Sequence, residues 1–187
     1  MILPKALSPI YTNTSLLYYR INSPIGIDVN VKFRQLDCRG AAKKLENETD
    51  PEQERIIKTL TRELDSGSTV YIYEDDSGRI AHYSCVGYEK IWKSEMDMYL
   101  NLPDGARYIY NCRTLPEYSR RGLFTSAIET IINTHGEAFI SCADTNRNSK
   151  SVIEKFSPTS LGKIHKRQIL GFYKRYTNTT GLEFTVD

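Results

Sequence analysis

The chain predicts a mixed α/β domain in which not all strands run parallel, and three observations carry that expectation. A basic, glycine-containing turn between Tyr118 and Ile132 runs straight into an amphipathic helix. A strand-like run, Arg107 to Leu115, feeds that turn. A hairpin signature precedes both: Thr69 to Glu74 and Arg79 to Tyr88 flank the turn cluster Asp75-Asp76-Ser77-Gly78, and such a hairpin disfavours an all-parallel doubly wound sheet. A length of 187 residues suits one domain, and 40% apolar with 26% charged residues is ordinary for a folded chain. We therefore expect residues 1–187 to form a single domain.

In chain order, Leu16 to Ile21 reads as a strand that Pro24 and Gly26 interrupt. Val29 to Leu36 sets Val29, Val31 and Phe33 against Asn30, Lys32 and Arg34, the period-two pattern of a second strand. Ala41 to Asn47 reads as a short helix whose one large apolar residue is Leu45. Asp50 as cap, Pro51 at the first helical position and Gln53 as partner of a capping box open a helix over 51–65, with Ile56, Ile57, Leu60 and Leu64 on one face. The hairpin follows, and the stretch containing Trp92 and Met96 shows no clear period. Beyond the Arg107–Leu115 strand, Phe124, Ala127, Ile128, Ile131 and Ile132 give a helix with Glu129 and Asn133 turned to water, ended by His135-Gly136. Ala138 to Ala143 is a strand, Asn148 to Phe156 a helix with Val152, Ile153 and Phe156 inward, and Leu161 to Tyr176 one or two strands bent at Gly171.

Several function classes are disfavoured by the totals. A net charge of +2 is too mild for a nucleic-acid binder. The four cysteines, at 38, 85, 112 and 142, form no CxxC pair, and no secretory leader is evident, so neither a disulfide framework nor a metal site is expected and the cytoplasm is the expected compartment. No apolar run reaches membrane-spanning length. The tail residues Lys163, Lys166, Arg167, Lys174 and Arg175 read as a solvated strand face that could attract a phosphate-bearing substrate. Thirteen tyrosines lean towards half-buried strands and polar-rimmed pockets.

A strand, a basic glycine turn and a helix together suit an anion, because the first amides of a helix have no partner within it and sit at the positive end of its dipole. Gly122 allows a backbone conformation or a close ligand approach that a Cβ would resist, and Arg120 and Arg121 add charge. The P-loop pattern GxxxxGK[ST] and the dinucleotide pattern GxGxxG both fail, since Gly122 is the one glycine in the turn.

Two segments resemble the GNAT N-acetyltransferase superfamily. Thr114-Leu115-Pro116-Glu117-Tyr118-Ser119-Arg120-Arg121-Gly122-Leu123-Phe124 follows that family's strand, Pro, short link and [QR]-x-x-G-x-[GA]. Asn146 to Lys155 keeps Asn, Ser, Val, Ile, Glu and Lys of a second segment, N-x-x-S-x-x-V-I-E-K-x-G-F. The resemblance spans about residues 65–170, while residues 1–50 match in element order alone. It implies a mostly antiparallel central sheet with helices on both faces, and acetyl-CoA as co-substrate without a metal. The pyrophosphate would lie on the turn Ser119, Arg120, Arg121, Gly122, Leu123, Phe124 and Thr125; the pantetheine arm would lie along Cys112, Arg113 and Thr114, with Asn146 and Ser149 on its other side. The implied activity is direct acetyl transfer to a primary amine of a small molecule, such as an amino sugar or sugar nucleotide. The readings kept beside it are an N-acyltransferase using a longer acyl-CoA or an acyl carrier protein, and a CoA-binding module without catalysis. A homodimer is compatible with the sequence without being required by it.

The chain departs from the family at three places. Ser119 stands where Arg or Gln is usual, Phe124 where a second small residue is usual, and Ile153 where many members carry a tyrosine that protonates the departing thiolate; Ser157-Pro158 replaces the Gly-Phe that follows. An aliphatic side chain cannot donate a proton. Tyr110 is then the candidate acid or pocket wall, and His82 and Glu89 the candidate bases, on or just after the preceding strand. Cys112 has no His or acidic neighbour in sequence to activate it as a nucleophile.

Overall fold

A computed structural model describes residues 11–22, 31–169 and 173–186. Among the described residues there are four α-helices and eleven strands, β1 (Tyr11–Ile21), β2 (Arg34–Leu36), β3 (Thr69–Glu74), β4 (Ile80–Tyr88), β5 (Lys90–Lys93), β6 (Met98–Asn101), β7 (Arg107–Thr114), β8 (Ala138–Ala143), β9 (Thr159–Ile169), β10 (Tyr173–Asn178) and β11 (Glu183–Thr185). The strands form an eight-stranded sheet, ordered β10-β9-β1-β8-β7-β4-β3-β2, and a three-stranded one, ordered β11-β6-β5. In the large sheet every neighbour pair is antiparallel except β7 (Arg107–Thr114) with β8 (Ala138–Ala143). The expected mixed, mostly antiparallel architecture is therefore present.

β1 (Tyr11–Ile21) contains the expected Leu16–Ile21 strand and extends it towards the N-terminus. The second strand is shorter than its alternation suggests: β2 is Arg34–Leu36, paired with β3 over three residues, while residues 31–33 take no strand pairing. Val29 and Asn30, like Pro24, Gly26 and the bend at Gly171, lie outside the described residues. The weak helix at Ala41 is longer than expected, because α1 (Cys38–Glu46) starts at an Asp37 cap that accepts from the Gly40 amide. Ala41, fully buried, supplies the packing that the count of large apolar residues overlooks.

α2 (Pro51–Asp65) has the expected bounds, and Asp50 accepts from the amides of Glu52 and Gln53. The capping box is not closed as expected. The Gln53 side chain turns inward, 1% exposed, and bonds both backbone groups of Ile80: Nε2 donates to the carbonyl at 3.2 Å and Oε1 accepts from the amide at 2.9 Å. The Asp50 amide goes to Glu48 instead. α2 is thereby stitched to the start of β4 (Ile80–Tyr88), which with β3 (Thr69–Glu74) forms the expected hairpin.

The aperiodic stretch around Trp92 is a second hairpin, β5 (Lys90–Lys93) and β6 (Met98–Asn101), which β11 (Glu183–Thr185) completes as a separate small sheet. Its strands are too short for a periodicity signal. α3 (Leu123–His135) and α4 (Arg147–Glu154) follow β7 and β8. Glu129 is a correction: it is 3% exposed on α3 and does not face water. Layers follow from strand alternation. Tyr71 and Val86 pack with Ile128, Ile131 and Ile132 of α3, whereas Val70, Ile72 and Cys85 pack on the opposite face with Ile56, Ile57 and Leu60 of α2. β9 (Thr159–Ile169) and β10 (Tyr173–Asn178) close the sheet. The basic tail is not a uniformly solvated face, since Lys166 is buried and, with Lys174, pairs with Asp97 at 3.0 and 2.9 Å.

Replacing Gln53 by Ala leaves the amide and carbonyl of Ile80 without partners, at a cost of about 2 kcal/mol. Urea unfolding should show a lower midpoint with an unchanged slope.

Candidate functional site

β7 and β8 pair at only two positions, Tyr108 with Phe139 and Ile109 with Ile140. Beyond Ile109 each strand keeps its outer neighbour and the two diverge. β8 stays on β1 through Ala143, and β7 stays on β4 through Thr114. The β4–β7 ladder carries a bulge: Asn111 and Cys112 oppose the single residue Ser84, and Asn111 sits at φ 47°. Such an insertion bends a strand and sharpens its twist. The result is a V-shaped cleft of about 430 Å³ whose walls include Tyr110, Cys112 and Thr114 on one side and Ser141, Asn146 and Ser149 on the other.

At the mouth of the V, β7 passes through a 3₁₀ turn, Pro116–Tyr118, into α3. Side chains of Asp37, Asp50 and Asn146 cap the other helices, but no side chain caps α3. Its cap residue is Gly122 at φ 77°, left-handed, with nothing within 4 Å of the place a Cβ would take. Arg120, at φ 63°, is a second left-handed residue in the same turn. The Arg121 guanidinium lies 5.0 Å over the Tyr118 ring, and the Tyr118 hydroxyl donates to Asp75. The first turn of α3 thus has no side-chain cap and follows a turn with two arginines and open space around Gly122, the arrangement that accepts a phosphate.

Comparison with solved structures bears on this geometry. The chain superposes on an acetyltransferase of the GNAT family from Colwellia psychrerythraea with a TM-score of 0.56, over 85% of this chain and 57% of that one, at 10% identity. It also superposes on a protein assigned to the GNAT acetyltransferases from Novosphingobium aromaticivorans, with a TM-score of 0.50 over 87% and 68% at 14% identity. The chain has the GNAT fold. The likeness is one of fold, and the chain spans little more than half of the first of these structures and about two thirds of the second. No protein-family model and no curated protein matches the sequence.

Within this GNAT fold the sequence-derived candidates divide among three places. His82, Tyr110, Cys112, Thr114, Phe124, Asn146 and Ser149 line the cleft. Ser119, Arg120, Arg121 and Gly122 are exposed in the turn that leads into α3, with Leu123 and Thr125 in the first turn of that helix. The Arg113 side chain leaves the cleft to pair with Glu52 at 3.0 Å, so only its backbone is available there. Glu89 lines a second cavity, of about 490 Å³, together with Trp92, Tyr99 and Glu63. Tyr110 walls both cavities.

Asn146 caps α4 by accepting from the Ser149 amide at 3.1 Å, which leaves its own amide hydrogens for a ligand. Phe124, in place of a small residue, stacks on His82 with ring centres 6.2 Å apart. Ile153 is fully buried in the core beneath α4. Among the described residues no group of three or more His, Cys, Asp or Glu is arranged to hold a metal, and no helix is long and apolar enough to cross a membrane.

Glu63 is a site residue that the sequence reading missed. Its carboxylate accepts from the Tyr110 hydroxyl and, at 3.0 Å, from Asn111 Nδ2, beside the bulge. Ser68 also bonds the Tyr110 hydroxyl, at 2.7 Å. Burial, and then the bond to Glu63, push the Tyr110 phenol well above its ordinary range, so it is neutral and spends its proton on Glu63. The one local signal was position: Glu63 stands in the last turn of α2, where the helix dipole disfavours a carboxylate.

His82 is 1% exposed, with Nδ1 2.7 Å from Thr114 Oγ1 and Nε2 2.9 Å from Ser84 Oγ. Burial holds it at about 3, down from 6.5. A ring that is neutral and bonded at both nitrogens is a poor base; it fixes Thr114 and the residue opposite the bulge. Burial around Cys112 likewise pushes its thiol up to about 11, against a nucleophilic role.

The depressed His82 has a signed consequence for stability. Below 6.5 the unfolded chain protonates this ring while the folded one does not, so its contribution is complete above 6.5 and is lost as pH falls towards 3. The slope is about 1.4 kcal/mol per pH unit. Urea unfolding between pH 7 and pH 5 should show that slope reduced in His82→Gln relative to the unaltered protein.

Proposed function

We propose that this protein is an acetyl-CoA-dependent N-acetyltransferase acting on a primary amine of a small molecule by direct transfer. The observation that carries the reading is one cleft: the half-open V between β7 and β8 runs along the bulge at Asn111 and Cys112 and is lined at its other end by Phe124, in the uncapped first turn of α3 that follows Gly122. That path suits a ligand with a diphosphate at one end and an amide-bearing arm ending in a thioester. The diphosphate would take the amides of Leu123, Phe124 and Thr125 with charge from Arg120 and Arg121. The arm would add itself as a strand to the free edge of β7 along Cys112 to Thr114, with Asn146 and Ser149 opposite.

The thioester carbonyl then lies at the bulge, where a β7 amide no longer committed to a ladder polarises it. The acceptor ammonium loses a proton to Glu63 through the Tyr110 hydroxyl, which lines the cleft and donates to that carboxylate from the far side of the wall; the amine nitrogen forms a bond to the carbonyl carbon and gives its second proton to water, and the C–S bond breaks. Ile153 gives the departing thiolate no proton. Ser149, one helical turn earlier on α4 and in the cleft wall, is the hydroxyl on that side, with water as the ultimate source. Glu89 lines the second cavity as Glu63 does, but it is Glu63 that is bonded to Tyr110, so Glu89 acts on the approach of the acceptor and not on the reacting atoms. The same reading gives the protein a cytoplasmic setting, where CoA thioesters are available.

Two outcomes check these roles. Gly122→Val should weaken CoA binding by roughly 100-fold or more in isothermal titration while circular dichroism stays native, because a β-branched residue resists the left-handed conformation that aims the α3 amides. Glu63→Gln should lower the turnover of amine acetylation by roughly 100-fold or more with CoA affinity unchanged. Thiol release from acetyl-CoA with a panel of amines reads the second; tight CoA binding with no thiol release on any amine contradicts catalysis.

A further inference from the structure

The closed end of the V holds a cation that forms no ion pair among the described residues. Lys93, the last residue of β5, is 6% exposed and lines the cleft. Among the described residues its ammonium has one polar partner, the Tyr108 hydroxyl at 3.0 Å, and it forms no ion pair. It also sits 4.9 Å over the Tyr108 ring. Tyr108 is no counterion, because burial pushes its phenol well above the ordinary range and keeps it neutral. Glu95 lines the same cleft but is exposed and not paired with Lys93.

The contrast with Lys166 is direct. That lysine is as deeply buried, at 7% exposed, and is matched by Asp97 at 3.0 Å. Burying an ammonium without a partner costs several kcal/mol. Where a fold keeps such a group against a cavity, the missing charge can arrive with a ligand.

The surroundings define what that ligand carries. Ser141, bonded to the Tyr108 hydroxyl as Lys93 is, lines the cleft with it. Lys93 and Ser141, joined through the Tyr108 hydroxyl, form a polar foot that suits an oxyanion and rejects a hydrocarbon chain, which disfavours a long acyl group. The distance also bears on size. From Cys112 back to Tyr108 is four residues of strand, on the order of 10 Å, room for a short carbon chain between a reacting carbon at the bulge and an anion at Lys93.

We propose that Lys93 is a substrate-anchoring residue that binds a carboxylate at the foot of the cleft. The proposal rests on the acetyl-transfer reading only in placing the thioester at the bulge. The carboxylate comes either from the acceptor, which is then an amino acid or a similar compound, or from the acyl group, which is then a dicarboxylic one.

Isothermal titration of the full-length protein and of Lys93→Met separates these sources. In one arm, N-acetylated α-, β- and γ-amino acids are compared with their primary amides, on protein with and without CoA. In the other, succinyl-CoA is compared with butyryl-CoA, and malonyl-CoA with propionyl-CoA. A charge-assisted contact predicts a preference of roughly tenfold or more for the acid in one arm, abolished in Lys93→Met while CoA affinity is unchanged. Acid over amide assigns the carboxylate to the acceptor; succinyl- over butyryl-CoA or malonyl- over propionyl-CoA assigns it to the acyl group. The proposal is overturned if the unaltered protein shows no acid preference in either arm, or if a preference persists in Lys93→Met. Should Lys93→Met fail to fold, the unaltered protein alone decides, since an absent preference still overturns it. Failure of CoA itself to bind contradicts the acetyl-transfer reading and leaves the acid and amide comparison on free protein to judge Lys93.

Discussion

Two adjacent parallel strands that stop pairing halfway along are the constraint on which this molecule turns. β8 cannot close the gap, because six residue pairs hold it to β1. β7 cannot close it either, because it follows β4 to Thr114, and Leu115 continues that attachment through its amide to the Ala81 carbonyl at 3.0 Å. Each strand is satisfied on its outer edge and open on its inner one. Backbone groups on an open edge need a partner, whether water or an extended ligand. The bulge at Asn111 and Cys112 sits where the divergence begins and turns β7 away from β8.

The remaining chemistry is arranged along that gap. Exposed arginines and uncapped amides stand at its mouth, a neutral phenol tied to Glu63 stands beside the bulge, and a buried ammonium stands at its foot. His82, the histidine in the cleft wall, is kept uncharged beside Thr114. The cleft therefore has cationic groups at both ends and, behind its Tyr110 wall, a carboxylate, the order needed by a donor with a phosphate end and an acceptor whose amine must lose a proton.

What could be read from the sequence was what local pattern encodes. α2 ends where the caps and apolar stripe put it, β8 has its expected bounds, and Gly122 stands at the turn its neighbours marked. What could not be read depends on partners far along the chain. Glu63 meets Tyr110 across 47 residues, and Gln53 meets Ile80 across 27, so neither contact leaves a periodic trace. The β5–β6 hairpin has strands of four residues, too short for alternation to register, and it carries Lys93 into the cleft. Glu129 fell on the polar side of a helical wheel yet is buried, because α3 is covered beyond its apolar stripe.

Amide hydrogen exchange with and without CoA tests the central claim most directly. If the open edge of β7 receives the arm of the ligand as an added strand and the α3 turn receives its phosphates, CoA should slow exchange at the β7 amides within Cys112 to Thr114 and at Leu123 to Thr125. Protection should leave the amides that already pair β1 with β8 unchanged. Protection confined to other parts of the molecule, or saturable CoA binding with no change along β7, contradicts it.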